Sequence, residues 1–225
     1  MIEWINMRSR ELPRRADGLG VFTVALVALT LFGLLASEVM EGEALFFDRP
    51  VLLWIHGYAN APLDTAMRLI AWTGSVWMMV PLVALAMWLC RRQARAALYL
   101  LCANGGAALL NVAAKHGFER LRPAYWPTIV HESSYSFPSG HAMQTMAFAC
   151  SLLFVLPRQG GGMPLAAGAL YVVAVGASRL YLGVHFPSDV LAGWCVSLCW
   201  CAGLGMWMMP RLAPRPDAGG DIQVR

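Results

Sequence analysis

Apolar residues in this chain fall into six long blocks separated by polar joints. Crossing ~30 Å of hydrocarbon at 1.5 Å per residue takes roughly 20 mainly apolar residues in helical form. The blocks run from about Gly18 to Met40, Ala71 to Cys90, Ala96 to Ala114, His141 to Leu156, Pro164 to Tyr181 and Pro187 to Met209. They predict an all-α integral membrane bundle of six transmembrane helices, a single domain over residues 1–225. The first block exceeds the apolar region of a signal peptide and no A-x-A-like cleavage site follows it, so it is read as a retained helix. Between blocks one and two, Glu41 to Arg68 carries Trp54 and Tyr58, with Trp72 just beyond. That segment is either an interfacial stretch contributing to an aromatic belt or a plain loop, and the pattern leaves both open. After Pro210, the residues Pro214, Pro216 and a Gly-Gly pair predict a disordered tail over about 211–225.

Cations sort by side of the blocks, which sets orientation, because cytoplasmic loops carry the excess of Lys and Arg. One side collects Arg8, Arg10, Arg14, Arg15, Arg91, Arg92, Arg95, Arg158, Arg211, Arg215 and Arg225. The other collects Arg49, Arg68, Lys115, Arg120, Arg122 and Arg179. Both termini are therefore expected in the cytoplasm, with the second group outside.

Composition agrees with the bilayer reading. Hydrophobic residues make up 58% of the chain and charged ones 13%, about half the ~25% charged of soluble domains. Mean hydropathy is +0.55. The net charge of +4 comes from arginines scattered at the ends of apolar runs, with no basic stripe, so nucleic-acid binding is excluded. Cys90, Cys102, Cys150, Cys195, Cys199 and Cys201 all lie in apolar stretches and imply no disulfide framework. The Cys195, Cys199, Cys201 cluster lacks the CxxC pairs of zinc sites.

The chemistry gathers at one side. Lys115, the only lysine, closes the third block, and Arg122-Pro123 follows seven residues on. Pro138-Ser139-Gly140-His141 stands where the fourth helix should begin, so its backbone N–H groups are unpaired and suited to an anion. Ser178-Arg179 closes the fifth block, His185 follows, and Asp189 lies in the opening turn of the sixth, with Pro187 at a favourable first helical position. In a six-helix topology these three blocks open on one outer face. Three cations, a helix N-terminus, two histidines and one carboxylate fit a phosphate group. The carboxylate-rich cages and His-x-x-Glu patterns of catalytic metal sites are missing.

The pattern KxxxxxxRP, PSGH, SRxxxxxHxxxD, here Lys115 to Pro123, Pro138 to His141 and Ser178 to Asp189, resembles the type-2 phosphatidic acid phosphatase (PAP2) superfamily. The resemblance is specific over about residues 100–200, while the first two helices match in general layout only. It implies that His185 is the nucleophile on phosphorus and that Asp189 fixes its tautomer. A neutral imidazole attacks well only when one nitrogen is bare and the ring is held, so chemistry independently agrees. By the same resemblance His141 is the general acid that protonates the departing lipid oxygen and later activates water. Lys115, Arg122, Arg179, Ser139 and the Gly140 N–H would hold the phosphate oxygens, the cations replacing a metal, and no cofactor is expected. His56, His116, His131, Glu119, Arg120 and Glu132 match no motif position and are read as ordinary interfacial residues. Arg120, two residues before Arg122, is the exception considered for a second phosphate.

The resemblance leaves the substrate among membrane lipids, because no soluble domain is inserted between Pro123 and His141. Undecaprenyl diphosphate is the leading expectation, with the protein in the inner (cell) membrane and its site on the periplasmic face. Phosphatidylglycerophosphate, phosphatidic acid and lipid A phosphates are alternatives. A lipid phosphotransferase would use the same residues, whereas a non-catalytic lipid transporter would need neither His185 nor Asp189 at this spacing.

Overall fold

The computed structural model describes residues 18–42, 45–130, 132–156 and 162–208. These form eight α-helices and no strand: α1 (Gly18–Met40), α2 (Asp48–His56), α3 (Ala61–Thr73), α4 (Val76–Leu89), α5 (Ala94–Phe118), α6 (Gly140–Val155), α7 (Met163–Tyr181) and α8 (Pro187–Met208). His131, Arg8, Arg10, Arg14, Arg15, Arg158, Arg211, Arg215, Arg225 and the tail expected over 211–225 lie outside the described residues.

Among those residues, α1, α5, α7 and α8 are each long and apolar enough to cross a membrane. The pair α3–α4, bent by 44°, adds a fifth span if counted as one. α6 has 16 residues, a rise of about 24 Å, which falls short of the ~30 Å of hydrocarbon. Length and composition thus give four or five of the six expected spans.

Three features differ from the sequence reading. The second block is broken, because α3 ends at Thr73 and α4 starts at Val76 after an extended Ser75. Tyr171 Oη donates to the Thr73 carbonyl at 2.9 Å, satisfying a backbone acceptor that the break releases. Upstream, the 41–68 segment contains α2 and the start of α3, so a plain loop is not what forms there. α3 starts at a sequence-legible cap, where Asn60 Oδ1 accepts from Leu63 N at 3.0 Å and Pro62 occupies the first turn. α5 outlasts its predicted end at Ala114, which places Lys115 inside the helix.

Burial is inverted relative to a water-soluble bundle. Large apolar side chains face outward, as at Leu34, Trp77 and Trp88, each more than half exposed. Small residues recur in the interior, including Ala103, Ala107, Ala142, Ala147 and Ala192, beside larger buried side chains such as Leu100, Phe137 and Met143. Where lipid tails are as apolar as leucine, helices gain by close backbone approach, and small residues allow it. Tyr99 and Trp200 stitch the interior by donating to the carbonyls of Cys201 and Cys102, each at 3.0 Å.

α8 is the axis, packing on α1, α5 and α6, while α6 also packs on α5 and α7. At one end of the bundle the C-termini of α5 and α7 meet the N-termini of α6 and α8. Ser139 N, preceding α6, donates to the Asp189 carbonyl in α8 at 3.0 Å. Gly193 permits this approach, since a Cβ there would lie 2.9 Å from the Ser139 carbonyl oxygen.

Candidate active site

α5 terminates at Glu119, whose φ of 47° is left-handed and turns the chain away from the helix. The following loop carries Arg120 and Arg122 back across the end of the bundle, and Ser136 N fixes it by donating to the Arg120 carbonyl at 2.8 Å. A second loop, between α7 and α8, delivers His185. Its tight turn runs through Gly183, where φ is +70° and any Cβ would strike the Trp126 indole at 2.7 Å.

His185 and Asp189 are almost wholly buried. His185 Nδ1 lies 3.4 Å from Asp189 Oδ2, and the same oxygen accepts from Phe186 N at 2.8 Å. On the other side of the ring, Arg122 Nη1 lies 3.2 Å from His185 Nε2. A guanidinium can only donate, so Nε2 is the bare nitrogen and the ring proton sits on Nδ1, facing Asp189. Burial first, then the charges of Arg122, Arg179 and Lys115, holds the His185 imidazole well below its ordinary pKa of 6.5. The ring is thereby neutral, oriented and unprotonated at Nε2, where it accepts from Arg122.

Three cations bear on that ring. Arg122 is fixed by donating from Nε to the Ser134 carbonyl at 2.8 Å and from Nη1 to the Val184 carbonyl at 2.7 Å. Burial lowers its pKa from the ordinary arginine value, an effect opposed by the charges of Glu132 and Asp189. Lys115 Nζ donates to Ser134 Oγ at 2.7 Å. Arg179, 2% exposed, reaches Glu132 Oε1 through Nη2, and Glu132 Oε2 lies 3.7 Å from Arg122. A carboxylate thus bridges two of the three cations. Ser139 Oγ and Arg179 Nε are buried and have no hydrogen-bond partner among the described residues. His141, in the first turn of α6, lies within electrostatic reach of His185, Arg179, Lys115 and Arg122.

All the residues read from the three sequence blocks therefore gather at one end of the bundle. Two readings change. Arg120 is not a spare cation for a second phosphate: Nη1 donates to Asp189 Oδ1 at 2.6 Å and Nη2 to Asp48 Oδ2 at 2.8 Å, so two carboxylates already balance its charge. Glu132 is no plain interfacial residue, because it occupies the arginine pair. Asp48, Ser134, Ser136 and Ser188 were missed altogether. Asp48 sits 141 residues before Asp189 in the chain, and no local spacing announces such a partnership.

At one end of this apolar helical bundle, then, a buried histidine–carboxylate pair stands among Lys115, Arg122 and Arg179. Residues 96–213, just over half of the chain, match the PAP2 superfamily, and the chain belongs to that superfamily. It is 39% identical over 107 residues to phosphatidylglycerophosphatase B of Bacillus subtilis, covering 45% of this chain and 52% of that protein. It is 32% identical over 139 residues to an undecaprenyl-diphosphatase of Sulfolobus acidocaldarius, covering 60% of this chain and 65% of that protein. The matches thus span about half to two thirds of the length of these relatives. The crystal structure of a transmembrane PAP2-type phosphatidylglycerolphosphate phosphatase from Bacillus subtilis superposes with a TM-score of 0.75 at 28% identity, over 85% of this chain and 98% of that one.

Proposed function

We propose that this protein is a lipid phosphatase that works through a phosphohistidine at His185. The observation that carries the reading is the His185 ring, with Nδ1 on Asp189 and Nε2 unprotonated, near Arg122, Arg179 and Lys115. Nε2 attacks phosphorus, the bond from phosphorus to the lipid-side oxygen breaks, and His141 gives that oxygen a proton. The lipid departs as an alcohol, or as a monophosphate when the substrate is a diphosphate. Water then attacks phosphorus while His141 takes its proton, the N–P bond breaks, and inorganic phosphate leaves His185 free. Lys115, Arg122, Arg179, the Ser139 hydroxyl and the Gly140 N–H carry the equatorial oxygens throughout. Incoming phosphate displaces Glu132 from the arginines, since a dianion binds them more strongly than a carboxylate.

The cation set does the work of a metal in this reading: Lys115, Arg122 and Arg179 supply the positive charge at the phosphate oxygens. We place both termini in the cytoplasm, count α6 as a sixth crossing, and put the site on the periplasmic or extracytoplasmic face of the cell membrane. Arg91 and Arg92, exposed before α5, support this. They lie at the far end of a 25-residue helix from the site, about 37 Å away.

Undecaprenyl diphosphate is the proposed substrate, supported by the likeness to the Sulfolobus enzyme. The likeness to the Bacillus phosphatidylglycerophosphatase supports a second reading, phosphatidylglycerophosphate. The test is phosphate release in detergent with EDTA, from those two lipids, phosphatidic acid and lipid A. Wild type should release phosphate and His185→Ala should lose about six orders of magnitude, as nucleophile removal does elsewhere. Equal release by both proteins refutes the nucleophile; loss in EDTA reversed by a divalent ion refutes the metal-free reading. Transfer of phosphate to another lipid instead of water would mark a phosphotransferase.

The pH profile adds a sign. Protonating His185 destroys the nucleophile, and its depressed pKa moves that loss to lower pH, so the acid limb should lie below 6.5. A rate still climbing through about pH 9 would remove His141 as the acid.

A further inference from the structure

Arg120 and Arg122 bracket the His185–Asp189 pair. Residues two apart in an extended segment project to the same side, roughly 6–7 Å from each other. Here Arg122 meets the Nε2 end of His185 at 3.2 Å, and Arg120 meets the far carboxylate oxygen of Asp189 at 2.6 Å. The second arginine is itself held from a distant element. Asp48, fully buried in the first turn of α2, accepts from Arg120 Nη2 at 2.8 Å. It also accepts from Ser188 N at 2.9 Å and Ser188 Oγ at 2.6 Å. Arg120 Nη1 further donates to Ser188 Oγ at 2.7 Å, and its guanidinium stacks 4.2 Å over the Phe186 ring. The fork therefore has fixed partners on two carboxylates, one hydroxyl and one aromatic face.

Resting on the phosphatase reading, we propose that Arg120, braced by Asp48, is a positioning residue that keeps Asp189 ionised and aimed at Nδ1 of His185. Asp189 Oδ1 is committed to Arg120, which leaves Oδ2 for the ring and for Phe186 N. Free of this clamp, a buried carboxylate with a 3.4 Å contact to the ring would rotate or take up a proton, and the ring would lose its single tautomer. The charged and polar groups that bear on the Asp189 carboxylate come from several elements. They are Lys115 on α5, Arg120, Arg122 and Ser136 on the following loop, His185 before α8, and Asp48 on α2 acting through Arg120 and Ser188. Arg120 touches no reacting atom, so its effect belongs in turnover and in proton placement, not in substrate binding.

The test compares Arg120→Gln, Arg120→Lys, Asp48→Asn and the Asp48→Asn/Arg120→Gln double variant with wild type. Arg120→Gln should lower kcat about 10- to 100-fold, the range for outer partners of a reactive group, with KM unchanged. Its acid limb should move to higher pH, because Asp189 loses its cation. Arg120→Lys should recover part of kcat. Asp48→Asn should lower kcat less and leave the acid limb in place or shift it lower, since a carboxylate competing for the same guanidinium is gone. Should Arg120→Gln fail to fold with Asp48 left unpaired, the double variant removes that orphan charge and carries the same predictions. The independent readout is the ¹⁵N spectrum of histidine-labelled protein, with His185 assigned by a His185→Gln control. Wild type should show the proton on Nδ1, and the variants lacking Arg120 a mixture of tautomers. An unmoved acid limb together with an unchanged Nδ1 tautomer would overturn the proposal, whatever happens to stability. If wild type releases no phosphate from any lipid, the phosphatase reading fails, and the tautomer still decides the role of Arg120.

Discussion

The end of the bundle at His185 and the outward flank of α1 are built from opposite materials. At the site, Ser136, Ser139, His185, Ser188 and Asp189 are buried polar groups, all but the Ser139 hydroxyl held by named partners. On α1, Leu26, Val27, Leu31 and Leu34 face outward and touch little. In a bilayer the second arrangement needs only apolarity, since any Leu, Val or Ile meets lipid equally well. The first needs particular atoms at particular places, because each unpaired buried polar group costs ~1–3 kcal/mol. A single side chain should therefore matter greatly at one place and hardly at the other.

Arg179 gives the largest contrast. Its guanidinium is buried, one nitrogen pairs with Glu132, and Nε stands open. If Arg179 holds phosphate as proposed, Arg179→Ala should lower kcat by about 10²–10³, as loss of one oxyanion donor does. Arg179→Lys should recover little, because a point charge cannot serve the fork that spans Glu132 and the substrate. Phosphate-release kinetics on both variants measure this, and an unchanged kcat with raised KM would reassign Arg179 to ground-state binding.

The contrast also explains what the sequence made legible. Lys115, Arg122, Ser139, His141, Arg179, His185 and Asp189 announced themselves through short-range spacing, because each motif sits on one helix end or one loop. Asp48 and Glu132 did not, because their partners arrive through folding from elements far along the chain. The break at Gly74-Ser75 was hidden for another reason: apolarity is continuous across it, and two small residues are a weak signal against a block of tryptophans and leucines. α2 passed unread as a helix since nine residues carry too few turns for a period.

A middle-sized effect separates two glycines on the same helix. Gly193 on α8 faces the start of α6, where an added Cβ would sit 2.9 Å from the Ser139 carbonyl and 3.2 Å from Ala142 Cβ. Backbone cannot step aside cheaply, so Gly193→Ala should cost ~1–3 kcal/mol and push Ser139 and the α6 N–H groups off the phosphate. Gly203, ten residues on, has nothing within 4 Å, and Gly203→Ala should be neutral or stabilise by up to ~1 kcal/mol through helix propensity. Thermal unfolding in detergent, paired with phosphate release, tells them apart. Equal behaviour would mean that α6 and α8 do not meet at the site as described.

The smallest effect belongs to α1. Val27 lies mid-helix and is 53% exposed. Val27→Leu adds a methylene to a surface whose surroundings are as apolar as the side chain, and α1 gains no new neighbour inside the bundle. Stability should stay within ~0.5 kcal/mol, and kcat and KM should match wild type. That null result is informative because the substrate is proposed to be a lipid arriving from the same bilayer. If Val27→Leu changed KM for a long polyprenyl chain while leaving short-chain phosphatidic acid untouched, α1 would be contacting the substrate tail. The flank would then have to be counted with the site it has been contrasted against.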